Sequence, residues 1–162
     1  EDFWPSLEAF ARLSGQDLAS WGGYLEAHRV RRRAFIAAGA SSTDHGHPTA
    51  ATADLAPADA EALYHRILDG VRSREDAELF RAQMLTEMAR MSLDDRLVMQ
   101  IHPGSFRNHN ARVFWAFGRD KGADIPQPTD YVRPLKPCLD RFGSEPDLSV
   151  IVFTLDETAY SG

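Results

Sequence analysis

Disulfide crosslinks are the first thing this sequence cannot supply: of its 162 residues only Cys138 is cysteine. No intramolecular disulfide framework holds the chain, and a reducing compartment, the cytoplasm by default, suits it. No apolar run approaches the roughly 18 residues of a membrane span, and no signal peptide opens the sequence. Surplus basic charge is missing too. The formal charge is −6 and the pI about 5.5, which argues against a general nucleic-acid or polyanion surface while leaving room for a local basic pocket that binds one small anion. No internal repeat and no low-complexity segment is visible.

Three short apolar runs are present instead, and each ends in polar residues. Leu97 to Ile101 is bounded by Arg96 on one side and Pro103-Gly104 on the other, so His102 stands where a buried strand gives way to a loop. Arg107, Asn108, His109 and Asn110 follow within that loop. Earlier, Gly39 is placed to end a helix, Ala40 to Thr43 reads as a short strand, and Asp44 stands at its tip, followed by His45-Gly46-His47. A third run, Leu148 to Thr154, leads into Asp156-Glu157. A strand tip that delivers a histidine, an arginine and two carboxamides resembles the rim of a barrel active site and suits a polyhydroxylated, anionic ligand.

Helical periodicity fills the intervals. A short helix containing Pro5 runs to Leu13, and Gln16 to Ala38 reads as a longer one, with Leu18, Trp21, Leu25 and His28 at helical spacing and weakened by Gly22-Gly23. Its basic cluster, Arg29 and Arg31 to Arg33, reads as a solvated face near the helix carboxyl end. Pro57 opens another helix with acids in its first turn, and Leu63, Ile67 and Val71 keep one face apolar. Ser73 to Asp76 has the spacing of a capping box for a helix running to about Met91, with Phe80, Met84, Met88 and Met91 as a core stripe. Residues 118–128 read as irregular. A last helix toward Phe142 accommodates Pro134 and Pro137 if both lie in its first turn. Strands alternating with helices predict parallel pairing and an α/β fold.

The Asp44-His45 tip, followed 58 positions later by His102-x-Gly104-x-x-Arg107-Asn108-x-Asn110-x-Arg112, resembles uronate isomerase over nearly the whole chain, from Leu18 through Leu155. That family interconverts D-glucuronate with D-fructuronate and D-galacturonate with D-tagaturonate, within the amidohydrolase superfamily of metal-dependent (β/α)8 barrels. The resemblance implies that residues 1–162 are a partial barrel domain of about three parallel strands, with a helical pair inserted over about 57–93. The chain is too short for a whole barrel of roughly 200 to more than 400 residues. The absence of an initiator methionine and an end just after a strand fit an internal piece.

What the resemblance implies about chemistry is specific. Asp44 and His102 are the expected catalytic residues, and Arg107, His45 and Asn108 the expected substrate contacts. Aldose–ketose isomerisation needs a base, an acid and a way to stabilise enediolate charge. Arginine's planar fork suits a uronate carboxylate. The family's metal ligands, a His-x-His on the first barrel strand and an aspartate on the last, are expected outside this segment. The divalent metal, zinc first, therefore belongs to the intact parent. His45-Gly46-His47 has the His-x-His spelling but occupies the Asp-His tip instead, and no metal ligand is assigned here. The expected partner is a small-molecule hexuronate, without nucleic acid or membrane, and the parent has room to be a homo-oligomer. Two other readings stand beside this one. The first is a metal-dependent hydrolase of the same superfamily, and the second a non-catalytic helical interaction domain with an apolar groove along Phe80, Met84 and Met88.

Overall fold

A computed structural model of the chain describes residues 3–70 and 73–160. Helix α1 (Phe3–Ser14) packs on α2 (Trp21–Ala37) through Phe10, whose ring meets those of Tyr24 and His28. α2 begins at Trp21 and not at the expected Gln16. Ser20 takes the cap position in extended backbone, and its Oγ accepts the Gly23 N–H at 3.1 Å. The entering chain folds back over Gly23, where a Cβ would stand 1.9 Å from the Asp17 carbonyl oxygen. The glycine that reads as a weakness of this helix is therefore required by the turn into it.

Helix α3 (Pro57–Leu68) opens with proline and Asp59 in its first turn, as expected; Val71 lies outside the described residues. Ser73 caps α4 (Arg74–Asp95), its Oγ accepting the Asp76 N–H at 2.9 Å. The Asp76 carboxylate turns away to Arg66 on α3 instead of closing a reciprocal box. α4 also continues past Met91 to Asp95. Residues 82–89, Met91 and Ser92 are buried, so this helix is covered on nearly every side. Met84, Met88 and Met91 pack in the core, as the packing reading expects. Polar groups buried along it are paired: Gln83 accepts the Leu55 N–H and donates to Glu87.

One residue of the basic cluster departs from the solvated reading. Arg32 is only 6 % exposed and forks onto the Asp95 carboxylate at 2.5 and 2.8 Å, with a further bond to Ser92 Oγ at 3.0 Å. It ties α2 to the end of α4. Burial alone would raise the Asp95 carboxyl's pKa, but the Arg32 hydrogen bonds, the Leu97 N–H and the Arg32 charge together outweigh it and hold the group below the usual range.

Strands β1 (Ser42–His45), β2 (Val98–Ile101) and β5 (Val150–Val152) form one parallel sheet in the order β1-β2-β5. Ser42 pairs with Val98, His45 with Ile101, and Ile101 with Val152. The expected pairing of the third run beside the His102 strand is thus observed. β1 lies further along the chain than expected, so Asp44 belongs to the strand and does not follow it. Alternation turns Met99 and Ile101 into the helical core, where they are 1 % and 2 % exposed, and turns Gln100 to the other face.

The segment after β2 holds a small antiparallel ladder that the sequence reading missed, β3 (Ser105–Phe106) with β4 (Ile125–Pro126), enclosing helix α5 (Ala111–Phe117). Asn110 caps α5 with its side chain. Helix α6 (Val132–Phe142) places Pro134 in its first turn, but Pro137 is inside the helix, contrary to expectation. Thr52 repairs the opened turn: its Oγ1 donates to the Pro134 carbonyl at 2.6 Å and accepts the Cys138 N–H at 3.2 Å. This also fastens the loop after β1 to α6.

Candidate active site

The carboxyl ends of β1 and β2 bring together residues far apart in sequence. Asp44 and His102 share a face of the sheet, and the Asp44 carboxylate lies 3.0 Å from His102 Nε2. The His102 backbone N–H, in turn, donates to the His45 carbonyl at 3.0 Å, which continues the β1–β2 ladder one residue beyond β2 and sets the ring's height. Asp44 is well exposed and His102 about one-third exposed, so the pair faces solvent rather than core.

Gly46 is packed against this pair. A Cβ on it would stand 2.7 Å from His102 Cε1 and 3.4 Å from Arg107 Nη2. A side chain here would displace the imidazole, so glycine lets backbone, imidazole and guanidinium converge. Arg107, just past β3, faces two carboxylates without bonding to either: Nη1 is 3.6 Å from Asp124 and 3.8 Å from Asp120. Arg107 and Asn108 line an open cleft of about 730 Å³ together with Gly46, Phe114, Arg119 and Asp120.

Asn108 holds the loop that presents the arginine. It adopts φ +56°, its N–H donates to Asp124 at 2.9 Å, and its side-chain oxygen accepts the Asp120 N–H at 2.9 Å. Asparagine tolerates this left-handed backbone better than most residues.

His45 is placed differently from the expectation. It pairs across the ladder with buried Ile101, its ring is bonded to Thr43 Oγ1 at 3.0 Å, and alternation puts it on the sheet face opposite Asp44. Burial, with the charges of His47 and Arg32, lowers its pKa to about 4, so the ring is neutral at physiological pH. Burial lowers His47 as well, helped by Arg81. The two rings stand 6.2 Å apart and nearly perpendicular. Among the described residues no three His, Cys, Asp or Glu side chains converge as a metal-binding group.

Three residues of this neighbourhood escaped the sequence reading: Gly46, Asp120 and Asp124. Gly46 lay hidden inside the His-x-His spelling. The two acids sit in a stretch that reads as irregular, and no spacing signals that it returns to pair with β3.

Asp44 and His102 meet at the carboxyl ends of two parallel strands, the edge where parallel α/β enzymes carry their sites, and Arg107 approaches them from just past β3. A family model described as glucuronate isomerase matches residues 1–161, and the chain belongs to that family. The uronate isomerase of Phenylobacterium zucineum (strain HLK1) is 72 % identical over 161 residues, covering 99 % of this chain and 34 % of that protein. That of Xanthomonas axonopodis pv. citri (strain 306) is 63 % identical with the same coverage. The crystal structure of glucuronate isomerase from Caulobacter crescentus matches with TM-score 0.96 and 64 % identity over 99 % of this chain and 34 % of that one. Uronate isomerase from Thermotoga maritima, at 22 % identity and TM-score 0.88 over 98 % of this chain and 35 % of that one, supports the fold alone. The chain spans about a third of the length of the relatives it matches.

Proposed function

We propose that this chain is a segment of a uronate isomerase that interconverts aldose and ketose hexuronates, D-glucuronate with D-fructuronate and D-galacturonate with D-tagaturonate. Residues 1–162 form part of a (β/α)8 barrel, with the α3–α4 pair over about 57–93 as an insertion. The observation that carries the reading is the Asp44–His102 pair, 3.0 Å apart at the carboxyl edge of a parallel sheet.

The reaction moves a proton from C2 to C1 and another between the two oxygens. With the Nε2 proton donated to Asp44, His102 presents its Nδ1 lone pair as a base, and the Asp44 carboxylate stabilises the imidazolium once it is charged. Arg107 supplies a fixed positive charge and Asn108 amide groups for the carboxylate or hydroxyls of the sugar. His45 contributes through its backbone carbonyl, which seats His102, and not through its ring.

The family's divalent metal, zinc first, does not fit the residues described here, since they converge no ligand set. Its ligands are assigned to other segments of the parent. A hexuronate is the partner, with cytoplasmic location and self-association of the parent as further parts of the proposal. No helix among the described residues is long and apolar enough to cross a membrane. The interaction-domain reading loses its groove, because Met84 and Met88 are buried. The hydrolase reading has no constellation of its own here.

The test is glucuronate-to-fructuronate conversion by the full-length parent and by the 162-residue chain, each with added zinc or manganese. The parent is expected to turn over and the chain alone not. A parent without isomerase activity would overturn the reading. Turnover by the chain alone would require a metal site within it, with His45 and His47 as its first suspects.

A further inference from the structure

Resting on the proposed isomerase site, the geometry points to Asp124 as a positioning residue for Arg107. Its two carboxylate oxygens do different jobs. Oδ1 accepts the Asn108 N–H at 2.9 Å and so fixes the left-handed turn directly after Arg107. Oδ2 stands 3.6 Å from Arg107 Nη1. That is too long for a charge-assisted hydrogen bond, which closes to about 2.7–2.9 Å, yet near enough for a solvent-screened attraction.

The ladder explains why the two residues meet. Phe106 pairs with Ile125, so Arg107 and Asp124 leave the same end of the β3–β4 ladder side by side. Asp124 is about one-third exposed, whereas Asp120, also facing Arg107 Nη1, is 73 % exposed and more fully screened by solvent. Among the described residues Arg107 donates no hydrogen bond. The guanidinium is therefore aimed by charge alone, with Nη2 on the Gly46 side next to His102, and its donors stay available for a ligand. A direct bidentate bond to Asp124 would consume those donors.

The test is a double-mutant cycle in the full-length enzyme, following glucuronate conversion. Asp124→Asn keeps an oxygen for the Asn108 N–H and removes the charge facing Arg107. It is expected to raise KM about fivefold with kcat changed less than about twofold. Arg107→Met alone is expected to lower kcat/KM about 30-fold or more. Adding Asp124→Asn to Arg107→Met is expected to change nothing further, because the charge has lost its partner. Equal losses in both backgrounds would make Asp124 a structural residue and overturn the inference, as would unchanged kinetics in Asp124→Asn alone. Unchanged kinetics in Arg107→Met would instead remove Arg107 from the proposed site. If Asp124→Asn does not fold, Asp124→Glu, which moves the charge by one methylene, enters the same cycle with the same expectations.

Discussion

In α4, residues 82–89 are buried without interruption, whereas α5 buries none of its residues and leaves Trp115 81 % and Phe117 69 % exposed. The two helices flank β2 in sequence, yet different forces hold them. α4 is fixed by apolar contact on nearly all sides, at about 25 cal/mol for each Å² removed from water. The excursion from β3 to β4 is fixed by local polar bonds, those of Asn108, Asn110 and Asp124, each contributing about 1 kcal/mol. For stability, the scaffold is thus expected to tolerate little change and the loop that carries Arg107 more.

The contrast is broken most easily by paired substitutions. Leu85→Ala, at a fully buried position of α4, is expected to cost about 3 kcal/mol in urea unfolding of the chain. Trp115→Ser on α5 is expected to cost less than about 0.5 kcal/mol in the same experiment. Similar losses at both positions would show that α5 is as much a part of the packed core as α4.

Gly46→Ala separates site from scaffold at a single position. The added methyl meets the His102 ring, which can swing aside, so stability should hold while the ring leaves Asp44. A misplacement of this size is expected to lower kcat in the full-length enzyme by about 100-fold. A fully active variant would show that the Gly46 approach does not govern the imidazole.

The smallest effect concerns pH. Burial, aided by the Arg32 charge, lowers the His28 pKa to about 4, and its Nε2 finds no hydrogen-bond partner among the described residues. His28 is neutral in the fold, and the unfolded chain binds the proton first. Its contribution is therefore complete above pH 6.5 or so and is lost as pH falls toward 4. His45 behaves in the same way. The urea midpoint is expected to fall between pH 7 and 5, and to fall less in His28→Leu. Equal slopes for the two proteins would exclude His28 as a source.

Legibility in the sequence followed the same division. The strands inside the apolar runs Leu97 to Ile101 and Leu148 to Thr154 were readable because burial leaves a pattern in residue type, and the Ser73 cap was readable from a local bond. His102 was singled out because it follows directly on such a run, whereas Asp44, inside β1, and Arg107, beyond β3, were singled out through the family resemblance. The Arg32–Asp95 bridge, the Thr52 repair of the Pro137 turn and the β3–β4 ladder were not, since each joins residues across separations that leave no periodic trace. His45 was misplaced for a related reason. The strand runs on through His45, and alternation turns its ring to the face opposite Asp44.

The central claim is that Asp44 and His102 act as one acid–base pair at the strand tips. The most direct measurement is kcat/KM for glucuronate in the full-length enzyme carrying His102→Asn, with its unfolding temperature measured alongside. A fall of about 100-fold to 10,000-fold at an unchanged unfolding temperature is expected. A value within about twofold of the unmodified enzyme would contradict the account, since a general acid–base group cannot be removed at so little cost.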